Sequence, residues 1–199
     1  MKNVLILLFL FQIEGVFKIN AQKYNNLMAD SLKKYASLII NNGHKRYYEE
    51  KFFHYFPNNF YEMESLFGFS DTLGPGPLYD NPELIVIFSN LKTIPKYKYY
   101  EKYINICING KWKADNISEG FGFYEKLLKD TDMVLTVLSK KNKEEIKSVF
   151  KFLFDGPVPH SEENIRRYVN LYMKLAKKDK KIAELLQESF KELLNEYHK

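Results

Sequence analysis

Residues 142–154 read Asn-Lys-Glu-Glu-Ile-Lys-Ser-Val-Phe-Lys-Phe-Leu-Phe and carry both a helix start signal and an amphipathic pattern. Asn142 and Glu145 match a capping box, in which each side chain accepts a hydrogen bond from the backbone N–H of the other residue. Apolar residues then recur at steps of three and four, which is the spacing of one helix face: Ile146, Val149, Phe150 and Leu153. The stretch therefore predicts a helix over residues 144–154 that buries this face.

Two more helices are predicted after this one. Residues 155–159 read Asp-Gly-Pro-Val-Pro, and two prolines with a glycine cannot continue a helix. Ser161 caps the next helix, and Asp179 caps the last one. Their apolar stripes are Ile165, Tyr168, Val169, Tyr172 and Leu175, and Ile182, Leu185, Leu186, Leu193 and Leu194. Because the connection is short and the apolar faces match, the two helices are predicted to pair as an antiparallel hairpin.

The same periodicity and cap signals recur along the rest of the chain. They predict helices over residues 24–40, 46–55, 58–68, 83–91, 95–108, 114–128 and 131–140, and a loop rich in glycine and proline over 71–77. Over residues 104–113 a strand pair is the alternative to the favoured helix, because isoleucines alternate with polar residues before Asn109-Gly110. The predicted fold class is all-α. We expect a compact, single-domain multi-helix bundle over residues 22–199, with a C-terminal antiparallel helix hairpin and at most one short β-hairpin.

The first 21 residues are typical of a secretory signal peptide. Lys2 makes the start cationic, residues 4–11 are an unbroken apolar run, and Ala21 is the small residue that a signal peptidase prefers before its cut. The apolar run is shorter than the roughly 18–20 residues that span a bilayer, and Glu14 follows it, so a retained membrane helix is disfavoured. We expect cleavage before Gln22, a periplasmic or secreted mature protein, and no integral membrane span after cleavage.

The composition is that of an ordinary globular domain, 45% hydrophobic and 28% charged in a chain of 199 residues. The formal net charge of +5 is too small to indicate a nucleic-acid partner. Residues 96–103 mix lysines with tyrosines, which favours a helix with the tyrosines packed inward and the lysines outward. The single cysteine, Cys107, cannot form an internal disulfide, and its isoleucine neighbours predict a buried thiol.

Residue types that carry catalytic or metal chemistry are present without a recognisable motif. The histidines are scattered and have no paired metal-ligand spacing: His44, His54, His160 and His198. No metal, cofactor or catalytic residue is therefore predicted. The candidates for acid–base chemistry are Asp115 and Glu119 on one predicted helix face, and Asp155 at the turn after residues 144–154. For Asp115 and Glu119 a solvated face or a helix start is the favoured interpretation.

Four short motifs place aromatic residues beside rigid turns. They are FFxxFPxxF over residues 52–60, PLYD over 77–80, GKWxADN over 110–116 and FDGP over 154–157. In these motifs most of the mature chain resembles a group of small, uncharacterised proteins of Gram-negative bacteria that carry signal peptides. Some members of that group resemble immunity proteins that accompany secreted antibacterial toxins. The group commonly reads Gly-Pro-His-Pro at the last break, where this chain has Val158 and a later His160, so the resemblance implies no catalytic histidine there.

The favoured functional hypothesis is an exported, non-enzymatic binding protein of the periplasm. Its partner would be a protein, and the resemblance implies an immunity-type inhibitor that sterically blocks a toxin-like effector. The candidate anchors of this interaction are the aromatic residues beside the rigid turns: Tyr55, Phe60, Tyr79 and Trp112. The alternatives are a carboxylate-dependent hydrolase of the cell envelope, which would use Asp115, Glu119 and Asp155, and a structural envelope-associated protein.

Overall fold

The computed structural model describes residues 24–113 and 116–197, apart from the side chain of Glu119. The predicted leader, Asp115 and His198 lie outside these ranges. The helices are α1 (residues 24–42), α2 (Arg46–Tyr55), α3 (Phe60–Phe67), α4 (Glu83–Ser89), α5 (Lys96–Cys107), α6 (Phe123–Lys129), α7 (Thr131–Leu138), α8 (Lys143–Phe154), α9 (Glu162–Ala176) and α10 (Lys180–Tyr197). Two strands, β1 (Phe69–Ser70) and β2 (Gly74–Pro75), pair antiparallel, and a 3-10 turn covers Glu119–Gly122. The prediction of an all-α fold is confirmed.

The side-chain caps predicted at Asn142 and Ser161 form in the structure. The Asn142 side chain accepts a hydrogen bond from the Glu145 N–H, and the Glu145 carboxylate accepts one from the Asn142 N–H, so the capping box is complete. Asn59 caps α3 and Ser161 caps α9 by accepting N–H groups in the same way. Gly43 follows α1 with φ +78°, a left-handed conformation that glycine adopts at little cost. These local signals fix most helix boundaries.

The three C-terminal helices form one packed unit. Lys143 pairs with Glu188 at 3.0 Å and Lys151 pairs with Glu196 at 2.8 Å, so α8 and α10 run in the same direction. Helix α9 connects them in the chain and packs on α10, where the Tyr168 ring stacks on a ring of α10 with centroids 4.4 Å apart. The predicted antiparallel hairpin of α9 and α10 is confirmed, and α8 joins it as a third helix.

The predicted apolar stripe of α9 is partly wrong. Leu171 and Leu175 are buried, but Ile165 and Val169 are 44% and 43% exposed. Helix α9 buries a narrow strip centred on Leu171 and Leu175. With 3.6 residues per turn, positions 165 and 169 lie far round the helix from that strip and face solvent.

Stacked aromatic rings fill the core around α4 and α5. The Phe88 ring is stacked on the Phe56 ring at 4.0 Å with an interplanar angle of 3°, and on the Tyr99 ring at 5.3 Å. Tyr103 continues the stack to Phe123 at 5.1 Å. Tyr99, Tyr100 and Tyr103 therefore face inward, as predicted, but the predicted outward position of the lysines is wrong for Lys102, which is buried. Within residues 24–113 and 116–197, no helix is both long and apolar enough to cross a membrane.

Three lysines cap the carboxyl ends of helices that are distant in sequence. The Lys102 ammonium is buried and donates to the Phe53 and Phe56 carbonyls at the end of α2. Lys126 donates to the last carbonyl of α4, and Lys174 donates to a carbonyl in the last turn of α6. Cations stabilise helix carboxyl ends because the unpaired carbonyls carry partial negative charge. Burial lowers the pKa of Lys102 to about 8, which leaves it mostly protonated at neutral pH.

A buried carboxylate joins α2 to the connection between α4 and α5. Glu49 is fully buried, and its oxygens accept the Thr93 N–H at 2.6 Å, the Thr93 hydroxyl at 2.7 Å and the Lys92 N–H at 2.9 Å. The His44 ring nitrogen contacts the other oxygen. Burial by itself raises the pKa of Glu49, but the hydrogen bonds from Thr93, His44 and Lys92 outweigh it, so the pKa is lowered overall.

Two sequence predictions around residues 104–128 have different outcomes. The favoured helix over 104–108 is confirmed, because α5 continues to Cys107 and the chain then turns at Asn109 with φ +58°. The short hairpin lies instead at residues 69–75, where it overlaps the loop predicted over 71–77. The helix predicted over 114–128 begins only at Phe123. Gly120, Phe121 and Gly122 have positive φ values, so a right-handed helix cannot run through these residues.

Candidate binding surface

The chain leaves α3 through a short hairpin that we call the 69–79 loop. Phe69 pairs with Pro75 and Ser70 pairs with Gly74. The Ser70 hydroxyl accepts the Leu73 N–H at 3.3 Å, which closes the turn between the strands. Gly74 has φ +76°, so a residue with a side chain would be strained there.

Backbone hydrogen bonds attach the base of this loop to α3. The Gly76 N–H donates to the Gly68 carbonyl at 2.8 Å, and the Leu78 N–H donates to the Leu66 carbonyl at 2.9 Å. A Cβ atom at Gly76 would lie 2.4 Å from the Leu66 carbonyl oxygen, which leaves no room for another residue type. The loop therefore returns close against α3 in one fixed path.

The Asn116 side-chain amide fixes the same loop from the other side. Its nitrogen donates to the Tyr79 carbonyl at 2.7 Å and to the Phe67 carbonyl at 3.2 Å. One side chain thus bridges the residues before and after the hairpin. Because both ends are held, the loop has little conformational freedom to lose on binding.

The fixed loop presents apolar side chains to solvent. Phe69 is 54% exposed and Leu73 is 76% exposed. The half-buried Tyr79 ring lies edge-on to the Phe69 ring, with centroids 6.1 Å apart. Exposed apolar side chains held on rigid backbone are typical of protein-binding sites, where they anchor a partner.

An open cleft of about 380 Å³ lies between α4 and the turn at residues 120–122. Its walls are neutral and partly apolar, and include Ile85, Val86, Ser89, Asn116, Ser118 and Phe121. Asn116 also holds the 69–79 loop, so the cleft and the loop adjoin at this residue. A neutral, partly apolar cleft beside an apolar loop can accept an apolar side chain of a partner.

The turn that forms one wall of this cleft is strained. Gly120, Phe121 and Gly122 all have positive φ, and for Phe121 the value is +53°. A bulky residue in the left-handed region costs about 1–3 kcal/mol, and it persists only when its surroundings hold it there. The Tyr103 hydroxyl donates to the Phe121 carbonyl, and the Phe121 ring lies edge-on to Phe152 at 5.3 Å. The wall is therefore held by the core.

The segment after α5 is held against the carboxyl end of α8. The Trp112 N–H donates to one oxygen of Asp155 at 2.6 Å, and the Tyr197 hydroxyl donates to the other oxygen at 2.8 Å. A Cβ atom at Gly110 would lie 2.3 Å from the Phe152 ring, so the backbone itself passes over that ring. Asp155 is thus a structural link between residues 110–112 and α10.

The structure gives the four predicted anchors different surroundings. The Tyr55 ring stacks on Tyr35 of α1 at 6.0 Å, and the Phe60 ring lies edge-on to a ring of α8 at 5.5 Å. Both are half-buried and pack against the hydrophobic core. Tyr79 belongs to the 69–79 loop, and Trp112 is half-buried on the segment fixed by Asp155. Tyr79 lies directly beside an exposed apolar residue of the same loop, Phe69.

Of the three candidate acid–base residues, the structure describes the side chain of Asp155 alone. Asp155 uses both carboxylate oxygens in the structural hydrogen bonds from Trp112 and Tyr197. Asp115 and the side chain of Glu119 lie outside the described part of the chain, so the hydrolase hypothesis stays a prediction. Within the described residues no group of three or more histidine, cysteine, aspartate or glutamate side chains is arranged to hold a metal ion.

Neither Phe69 nor Leu73, the two exposed apolar residues of this loop, was predicted as an anchor. For Leu73 a sequence signal existed. The available signal was a large apolar residue within the stretch Asp-Thr-Leu-Gly-Pro-Gly-Pro, where turn-forming residues are expected. A buried loop residue and an exposed one give the same pattern, so the exposure follows only from the path of the backbone.

Comparison of the chain with models of protein families, with curated proteins and with solved structures gives no match in any of the three.

Proposed function

We propose that the protein is an exported binding protein that holds a protein partner through the 69–79 loop and the adjoining cleft. The observation that carries this proposal is the pair Phe69 and Leu73, exposed on a loop that is hydrogen-bonded at both ends. The loop inserts its apolar side chains into a groove of the partner, and the cleft receives an apolar side chain in return. Rigid backbone supports this role because little conformational entropy is lost on binding.

The more specific form of the proposal is an immunity-type inhibitor. In that role the protein occludes a toxin-like effector delivered into the periplasm, and it acts by steric exclusion, with no bond made or broken. The resemblance of the four aromatic motifs to signal-peptide-bearing proteins supports this form. So does the location of one motif, PLYD, at the base of the 69–79 loop, where Tyr79 backs Phe69.

Export is tested separately from binding. We expect the chain recovered from the envelope fraction to begin at Gln22, because Ala21 suits the specificity of the signal peptidase. Intact-mass measurement distinguishes this chain from one that retains Met1. A retained Met1 in the cytoplasmic fraction would refute the export proposal and would leave the binding surface itself untouched.

Binding is tested with variants of the exposed loop residues. A partner is first captured from periplasmic extract and purified, and its affinity is then measured by calorimetry. Leu73→Asp and Tyr79→Ala should weaken binding by about 2 kcal/mol, or about thirtyfold, because interface anchors carry most of the binding energy. The melting temperature of Leu73→Asp should not change, because this side chain is 76% exposed. Trp112→Ala tests whether the neighbouring segment belongs to the same interface.

The matched control is Ile40→Asp. Ile40 is an apolar residue of α1 with 68% exposure, so the same substitution is made at a site of similar exposure outside the loop. We expect this variant to bind as wild type does. Equal affinities for wild type and Leu73→Asp would remove the loop from the interface. Protection of growing cells from a toxin-like partner, lost in Leu73→Asp and kept in Ile40→Asp, would separate inhibition from mere binding.

A further inference from the structure

The outward face of α9 carries three exposed apolar side chains at four-residue intervals. Ile165, Val169 and Met173 are 44%, 43% and 54% exposed. The opposite side of the helix holds Leu171 and Leu175, which are buried. A continuous apolar stripe on the solvent side of a helix indicates an interaction surface, whereas isolated exposed apolar residues need no explanation.

This stripe is symmetric about its middle residue. Val169 stands midway between Ile165 and Met173 along the helix. A twofold axis through Val169 and perpendicular to α9 therefore places Ile165 of one copy against Met173 of the other, and Val169 against itself. Such self-complementarity is the requirement for an isologous contact between two copies of one chain. It points to a second copy in preference to a partner of different sequence.

The charges at the two ends of α9 fit the same arrangement. Glu162 lies in the first turn and Lys177 is the C-cap residue, and both are exposed. On the helical period, position 162 lies on the stripe and position 177 lies beside it. In an antiparallel pair, Glu162 of each copy lies beside Lys177 of the other. The two helix dipoles are then also antiparallel, which is favourable.

We propose that two copies of this chain associate along α9 as an antiparallel, twofold-symmetric dimer. Helix α9 has 15 residues. It is therefore about 22 Å long, and a helix pair packs at an interaxial distance of about 8–10 Å. An interface of one helix per copy lies below about 1,200 Å², so the dimer is weak and depends on concentration. The 69–79 loop is not part of this contact.

Sedimentation equilibrium of the purified protein tests the proposal. The weight-average mass of the wild type should rise from monomer toward dimer across the micromolar to millimolar range. Val169→Asp should remain a monomer throughout, because it places two carboxylates together on the twofold axis. Its fold is checked by circular dichroism and by its melting temperature, both of which should match wild type since Val169 is exposed.

A charge exchange separates this geometry from other modes of self-association. Glu162→Lys and Lys177→Glu should each weaken the dimer at least about tenfold, because each places like charges together twice. The double variant restores both pairs and should regain the wild-type dissociation constant. Failure of the double variant to recover would overturn the antiparallel register. A wild-type mass that stays monomeric to millimolar concentration, or a Val169→Asp variant that still dimerises, would overturn the proposal itself.

Disulfide cross-linking gives an independent measure of the twofold axis. Val169→Cys places one thiol of each copy on the axis, and mild oxidation should give a covalent dimer. Ile40→Cys, whose site on α1 is more exposed, is the matched control and should cross-link more slowly. The native Cys107 is buried and does not compete. Equal rates for the two variants would mean random collision and would contradict the proposed interface.

Discussion

Replacement of Glu49 by glutamine tests how strongly one buried carboxylate holds the N-terminal half together. Glutamine keeps the shape of the side chain but removes its charge and turns one acceptor oxygen into an N–H₂ donor. Both Glu49 oxygens face donors: Thr93 N–H and hydroxyl, Lys92 N–H and the His44 ring. The new amide nitrogen must therefore face a donor and lose at least one hydrogen bond.

The expected cost follows from these contacts. A hydrogen bond to a charged group contributes about 1.5–3 kcal/mol, and one to a neutral group about 0.5–1.5 kcal/mol. Loss of one such bond to Glu49, with weakening of those that remain, gives about 3 kcal/mol. We expect Glu49→Gln to lower the free energy of unfolding by about this amount at neutral pH, as measured by urea denaturation followed by circular dichroism.

The pH dependence of the same variant has a definite sign. The pKa of Glu49 is lowered in the folded protein, so its contribution is fully present above the ordinary glutamate pKa of about 4.3 and is lost as the pH falls through the folded value. The difference in stability between wild type and Glu49→Gln should be constant above about pH 5 and should shrink below about pH 4. A difference that grows on acidification would contradict this assignment.

The neighbouring Glu50 provides the control. Its carboxylate pairs with Arg46 one turn away, and both side chains are exposed. Glu50→Gln should change the free energy of unfolding by no more than about 0.5 kcal/mol, because exposed pairs at this spacing contribute little. If Glu49→Gln were as mild as Glu50→Gln, the hydrogen bonds around Glu49 would not carry the stability assigned to them.

Three further predictions concern the core. Phe150→Ala and Leu186→Ala, at fully buried sites, should each lower the free energy of unfolding by about 2–5 kcal/mol in urea titrations, and a loss below about 0.5 kcal/mol would mean that these side chains do not fill the core. Gly110→Ala should cost about 1–3 kcal/mol through collision with the ring beneath it, whereas Gly156→Ala, which has open space around its Cβ, should leave the melting temperature unchanged. Burial raises the pKa of Cys107, so a thiol reagent should modify it only in denaturant, and reaction with the native protein would show that this residue is accessible.

Helix boundaries could be predicted from the sequence because their signals are local. Asn59, Asn142 and Ser161 cap helices by bonding to N–H groups three residues away, and Gly43 ends α1 through its own backbone freedom. Such contacts do not depend on the rest of the fold. The positions of Glu49 and Lys102 could not be predicted in this way. Each lies in a polar stretch typical of a solvated helix face, and the backbone groups that it binds are more than forty residues away.

The sequence also contains a charge pattern that indicates the parallel packing of α8 on α10. Lysines 143, 147 and 151 and glutamates 188, 192 and 196 each recur at four-residue steps, and they pair in order. The pattern marks two complementary faces, but a stripe of lysines can also face solvent. The exposure of Leu73 and the left-handed turn at Phe121 were beyond sequence reasoning, since tertiary contacts determine both.

The lysine caps have a consequence for the order in which the chain folds. Helices α4 and α6 have seven residues each. A helix of this length is not stable in isolation. Their carboxyl ends are completed by Lys126 and Lys174, which lie 37 and 46 positions further along the chain. During synthesis, therefore, α4 and α6 cannot be completed until the segments that carry Lys126 and Lys174 have left the ribosome. The amides of α4 and α6 should gain protection from hydrogen exchange late, together with global folding.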